Sequence, residues 1–208
     1  SMLLKEKKEF NRKSFDAYFN NIHDVFNQSI LISGYGDIGK KICQYCLNLD
    51  MKVSIIRRKK DVNIKGIDNI FSLHEIEEAV QNVDYVINIL PLNEMTKNIF
   101  SKKIFNMMKK SAFFINIGRG DTVIEKDLIN ALENKEIAGA GLDVFSSSSY
   151  IDAYMPLKND SPLLNLDNVI LTPHVAGMTQ KYWKYQTELF LQNLNLYFNS
   201  KPLRNQVN

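Results

Sequence analysis

The sequence predicts a doubly wound α/β fold: a parallel sheet flanked by helices on both faces. Three observations predict it. Seven short runs are apolar throughout rather than alternating, as buried parallel strands are. Segments of helical period separate most of them. The first run ends in a glycine-rich turn that leads straight into a helix.

The elements follow in order. Residues 3–27 are charged with scattered aromatics, and Phe15, Tyr18, Phe19 and Phe26 share one helical stripe. They read as a helical lead-in, so residues 1–28 form a linker. Ser29–Ser33 is the first strand, and Gly34-Tyr35-Gly36 turns the chain into a helix over 38–49. Strands follow at 52–56 and 69–71, with room for a helix between them. Ser72 and Glu75 form a capping box that opens a further helix. A strand over 84–90 closes at Pro91. A helix over 102–108, a strand over 112–117, a helix over 126–133 and a glycine-rich strand over 138–144 come next. A polar loop containing Ser146 to Asp160 precedes the last strand, 169–172. A helix over 179–198 places Trp183, Thr187, Phe190, Leu194 and Tyr197 on one face. The nucleotide fold is expected over 29–178, and the last helix and tail over 179–208.

Composition bounds the function. At 208 residues the chain has room for one large domain at about 150 residues per domain. Its net charge of +3 gives no argument for nucleic acid or an anionic membrane. No apolar run reaches the roughly 18 residues of a spanning helix. The two cysteines rule out a disulfide scaffold and suit a reducing, cytoplasmic setting. Cys43 and Cys46 lie one helical turn apart and read as packing, with no second pair to make a zinc site. No metal is expected. His23 and His74 read as surface residues, and the lysines near 102–110 as a solvated helix face.

Gly34-Tyr35-Gly36-Asp37-Ile38-Gly39 matches G-x-G-x-x-G in a strand–turn–helix context. Gly34 allows the tight turn, Gly36 clears the approach of a pyrophosphate, and Gly39 lets helix and strand pack closely. The pyrophosphate then meets free N–H groups of Asp37 and Ile38 at the helix N-terminus. A dinucleotide is therefore the expected cofactor. NAD sites carry an acid about 20 residues on, for the ribose 2′-hydroxyl. Here that place, 23 positions past Gly34, holds Arg57, with Arg58, Lys59 and Lys60 behind it. Arginine grips a phosphate through two parallel hydrogen bonds, so NADP is favoured over NAD.

Four further motifs carry a resemblance. Val86 to Thr96 ("VINILPLNEMT"), Asn116 to Gly120 ("NIGRG"), Gly139 to Phe145 ("GAGLDVF") and Thr172 to Gly177 ("TPHVAG") stand in order, with Pro202-Leu203-Arg204-Asn205 near the end. Together, over about 29–208, the chain resembles the D-isomer-specific 2-hydroxyacid dehydrogenases, whose nucleotide domain is of Rossmann type. The resemblance implies reversible NAD(P)H-dependent reduction of a 2-oxo acid to a D-2-hydroxy acid. It implies that Arg119 binds the substrate carboxylate and polarises the ketone, and that His174 is the general acid/base. It further implies that Asp143 meets the nicotinamide amide, and that Leu90, Pro91, Thr96, Ile117, Gly118, Ala176 and Gly177 line the cofactor cleft. A homodimer is implied too. The chemistry of the residues agrees: an alkoxide needs a proton donor titrating near neutrality, and Arg matches a planar carboxylate.

Two departures from the family pattern stand out. The family's Glu after "LDVF" has no counterpart; Ser148 holds its place, and Asp152 and Asp160 are the candidate substitutes. The family's N-terminal substrate domain is also absent from this chain. These two departures raise a second reading, a weakly catalytic dinucleotide-binding and dimerisation module like related corepressors.

Overall fold

The computed structural model describes residues 24–58, 63–146 and 157–206. The expected stripe of Phe15, Tyr18 and Phe19, and with it most of the lead-in, lies outside them, as do Lys59, Lys60, Ser148 and Asp152.

Seven strands form one parallel sheet: β1 (Ser29–Ser33), β2 (Lys52–Ile56), β3 (Ile67–Phe71), β4 (Tyr85–Asn88), β5 (Phe113–Asn116), β6 (Gly139–Leu142) and β7 (Val169–Leu171). Their order across the sheet is β3-β2-β1-β4-β5-β6-β7, the doubly wound arrangement that the sequence predicted. The helices are α1 (Asp37–Asn48), α2 (Ile76–Ala79), α3 (Lys102–Met107), α4 (Glu125–Glu133) and α5 (Tyr182–Phe198). The capping box forms, with the Ser72 N–H donating to Glu75 Oε2 at 2.7 Å. It opens a 3-10 turn, Leu73–Glu75, before the four-residue α2, so the expected helix is shorter than its start signal suggested. Between β2 and β3 the described residues hold no helix.

The unbroken apolar runs have a direct explanation. Successive side chains of a strand point to opposite faces, and both faces are covered. Leu31 joins Phe100, Phe105 and Phe114 on one side, while its neighbours Ile30 and Ile32 join Cys43 and Cys46 on the other. The cysteines are free and buried on α1, as expected of packing residues. Phe114 is the hub of its side, with Phe100 at 4.9 Å and Phe105 edge-on at 5.3 Å between ring centroids.

A polar clasp holds the lower edge of β1 to β4. The Asp84 carboxylate accepts from the Ser29 N–H and from Lys109 Nζ, each at 2.8 Å. The lysine stretch near 102–110 is therefore not only a solvated face: Lys109 is half-buried against Asp84, and Lys103 pairs with Glu77.

α5 is different. It buries no residue, and Trp183, Phe190 and Tyr197 are 71%, 61% and 68% exposed. No described helix is long and apolar enough to cross a membrane.

Candidate functional site

Order 3-2-1-4 places the reversal of strand order between β1 and β4, and the loops at the carboxyl ends of those two parallel strands border a crevice. The glycine loop occupies one side. Gly34 sits at φ 114°, in the left-handed region, and a Cβ there would press on the Ile89 carbonyl oxygen at 3.1 Å. A Cβ on Gly39 would run into the Gly34 carbonyl, so α1 lies directly against the turn. At Gly36 a Cβ would meet nothing within 4 Å. The missing side chain is thus not demanded by the protein's own packing; it leaves an open cradle. The first bond of α1 runs from the Lys40 N–H to the Gly36 carbonyl at 2.9 Å. The N–H groups of Asp37, Ile38 and Gly39 lie in the first turn, where helices leave donors without internal partners. Asp37 and Ile38 carry their side chains outward, and Asp37 faces Lys40 at 3.7 Å. An open cradle above a helix N-terminus suits a pyrophosphate.

At the end of β2, the Arg57 N–H donates to the Phe71 carbonyl at 3.0 Å. Its guanidinium lies over the Tyr35 ring, 5.8 Å from the centroid. Arg58 is exposed beside it.

The ends of β4 and β5 are joined by a buried polar network that sequence reading did not single out. Asn88 and Asn116 are register partners. Asn88 Nδ2 donates to Asn116 Oδ1 at 3.0 Å and to Thr122 Oγ1 at 2.6 Å. The oxygens of the two amides shape the loops. Asn88 Oδ1 accepts from the Leu90 N–H, and Asn116 Oδ1 accepts from the Gly118 N–H, both at 3.1 Å. The Arg119 carbonyl is held by Thr122 Oγ1 at 2.6 Å and Asn116 Nδ2 at 3.3 Å. One network therefore fixes Leu90 and Gly118, which border the crevice, together with the backbone of Arg119. The exposed Arg119 side chain folds back, its Nη1 donating to the Gly118 carbonyl at 2.7 Å. The available signal was two asparagines closing apolar strands, where an amide costs free energy unless bonded.

Thr96 is buried, and its hydroxyl donates to the Pro91 carbonyl at 2.6 Å. It shapes the 91–96 loop from inside, while Pro91 is exposed at the rim and Ile117 packs partly buried beneath the crevice.

Asp143, just past β6, builds the turn that presents His174. Its Oδ1 accepts from Thr172 Oγ1 at 2.5 Å and from the Val175 N–H at 2.9 Å, and its Oδ2 from the Ala176 N–H at 3.0 Å. Burial alone would raise the carboxyl's pKa. The Thr172 hydroxyl, the two amides and the nearby His174 overcome that and hold it below the ordinary range. His174 has φ 54°, a left-handed conformation that costs free energy and persists where the surroundings enforce it. Three bonds to one carboxylate provide that enforcement. His174, Ala176 and Gly177 are all exposed at the carboxyl edge of the sheet. Arg119 and His174 follow β5 and β7, so β6 alone separates their strands.

Of the substitute acids, Asp160 is exposed beside the 3-10 turn Pro162–Asn165. The carboxylates brought to the loop after "LDVF" are others: Ser146 Oγ donates to Asp121 Oδ1 at 2.6 Å, and the Ser146 N–H to Glu125 Oε2 at 3.2 Å. Among the described residues no group of acids, cysteines and histidines could hold a metal.

Comparison with known proteins gives this geometry a family. The D-isomer specific 2-hydroxyacid dehydrogenase NAD-binding domain matches residues 3–176. The chain is 36% identical over 186 residues to a "Probable 2-ketogluconate reductase" of Dictyostelium discoideum, covering 89% of this chain and 53% of that one. It is 36% identical over 186 residues to "Glyoxylate/hydroxypyruvate reductase B" of Enterobacter sp. (strain 638), covering 89% and 55%. The chain thus spans about half the length of these relatives. A solved D-isomer specific 2-hydroxyacid dehydrogenase of Lactobacillus delbrueckii ssp. bulgaricus, in its NAD-complexed form, superimposes with a TM-score of 0.78 at 27% identity, covering 95% of this chain and 62% of that one. The chain belongs to the D-isomer-specific 2-hydroxyacid dehydrogenase family, within which it forms the NAD-binding domain.

Proposed function

We propose that this chain is the cofactor-binding and proton-donating part of an oxidoreductase that reduces a 2-oxo acid to a D-2-hydroxy acid. The observation that carries the reading is the convergence of the Gly36 cradle, the Arg119 loop and the His174 turn at one edge of one sheet. The backbone at Asp37, Ile38 and Gly39 holds the pyrophosphate. Arg57 and Arg58 face the adenosine ribose, where their charge favours NADPH over NADH. Leu90, Pro91, Ile117, Gly118, Ala176 and Gly177 line the remainder of the cleft. When bound, the dihydronicotinamide supplies a hydride to the substrate's carbonyl carbon.

The protein's residues do the rest. Arg119 swings from the Gly118 carbonyl to pair with the substrate carboxylate through two parallel bonds. His174 gives a proton to the carbonyl oxygen as it becomes an alkoxide. Asp143 keeps the His174 turn in its left-handed form; its carboxylate also lies on the nicotinamide side of the cleft. The names of the two relatives, both reductases of small oxo acids, favour this over a non-catalytic binding module. Glyoxylate, hydroxypyruvate and 2-ketogluconate are the substrates to try. The free, buried cysteines agree with a cytoplasmic protein. A second copy of the chain is the proposed cover for the apolar side of α5, and light scattering on a Trp183→Ser/Phe190→Ser variant tests that pairing.

The activity test is NADPH oxidation upon addition of each 2-oxo acid. His174→Ala should lower turnover by about 10²-fold or more while NADPH still binds. Unchanged turnover in that variant would remove His174 from the chemistry.

A further inference from the structure

Two observations about Tyr35 stand apart from the glycines around it. Its ring carries the Arg57 guanidinium at 5.8 Å, within the range of a cation–π contact. The ring also packs, partly buried, against the α1-side core to which Cys43 and Cys46 belong. The ring is therefore packed against the core on the α1 side while its face supports a cation.

The two partners are also fixed at their backbones. Gly34 N–H donates to the Ile56 carbonyl at 3.1 Å, which locks the glycine loop to the end of β2. The Arg57 N–H is bonded to the Phe71 carbonyl at 3.0 Å, which locks the arginine to β3. Among the described residues no carboxylate pairs with Arg57. Its guanidinium is held by an aromatic face and keeps its charge and its edge donors for a ligand.

We infer that Tyr35 is a specificity-determining residue: its ring holds the Arg57 guanidinium ready for the 2′-phosphate of an NADP-type cofactor. This rests on the reading of Arg57 as the 2′-phosphate partner. The physical argument is preorganisation. A free arginine loses its many rotamers when it grips a phosphate, and a stacked one has already lost most of them. A ring also leaves the planar edge exposed, whereas a carboxylate partner would consume it. Tyr35 thus acts through Arg57, and the effect falls on NADPH alone, because NADH offers no 2′-phosphate.

The experiment measures dissociation constants of NADPH and NADH, by fluorescence, for the wild-type chain and for Tyr35→Leu, Tyr35→Phe and Arg57→Ala. Thermal melting checks that each variant folds. The readout is the ratio of the two constants, so a general disturbance of the glycine loop cancels. Tyr35→Leu should shift the ratio towards NADH by about five- to tenfold, and Tyr35→Phe, which keeps the ring, by less than about twofold. A ratio unchanged in Tyr35→Leu but collapsed in Arg57→Ala would overturn the role of Tyr35 and leave that of Arg57 standing. A wild-type preference for NADH, or a ratio unmoved by Arg57→Ala, would overturn both. Should Tyr35→Leu fail to fold, the cofactor-free wild-type chain decides by NMR. An upfield ring-current shift of the Arg57 guanidinium protons supports the stack, and its absence overturns it.

Discussion

The carboxyl edge of β1, β4 and β5 and the C-terminal helix α5 are built on opposite terms. At the sheet edge Ser33, Asn88, Asn116 and Thr122 are all buried, and the last three bond to one another. On α5 no residue is buried, although it carries Trp183, Phe190 and Tyr197. The first region is held by its own neighbours in sequence and sheet, and the second has no cover among the described residues. The cofactor side of the site is therefore self-supporting in this chain. The apolar side of α5 has the composition of an interface, and none of the described residues covers it.

The largest test of that contrast is a pair of truncations. Phe114→Ala empties a fully buried position between Phe100 and Phe105 and should cost about 3–5 kcal/mol in urea unfolding. Phe190→Ala, at 61% exposure, should change stability by less than about 0.5 kcal/mol. Equal costs would mean that α5 is packed after all.

Asn88→Leu sharpens the description of the sheet edge. It withdraws the donor shared by Asn116 and Thr122 and should cost about 1–3 kcal/mol. A neutral result would show that the network is not what holds the Arg119 loop. A smaller effect concerns acid. Asp143 is held below its ordinary value of 3.8, so its contribution is fully present above that value. It is lost as pH falls through the depressed folded value. The acid limb of the unfolding curve should therefore be shallower in Asp143→Asn. Identical limbs in the two proteins would detach Asp143 from the turn at His174.

Much of this was legible in the sequence. The seven strands showed because both faces of a parallel sheet are buried, which writes unbroken apolar runs. The glycine loop showed because each glycine answers a separate steric demand. Three things were hidden for physical reasons. The asparagine network joins residues 28 and 34 positions apart, which only strand register brings together. The Tyr35–Arg57 stack likewise depends on β1 and β2 being neighbours. The resemblance implies cleft roles for Thr96 and Asp143; that their oxygens also bond to the chain's own loops is set by local geometry and not by residue type. The short α2 escaped because a capping box marks where a helix starts and not where it stops.

The central claim is that Gly36 lacks a side chain to admit a dinucleotide and not to satisfy packing. The direct measurement is NADPH binding to Gly36→Ala alongside its melting temperature, with Gly39→Ala as the contrast. A Cβ at Gly36 meets nothing, so Gly36→Ala should melt like the wild type and bind NADPH about tenfold or more weakly. Gly39→Ala, pressed against the Gly34 carbonyl, should lose about 1–3 kcal/mol of stability. Wild-type affinity in a fully folded Gly36→Ala would contradict the account.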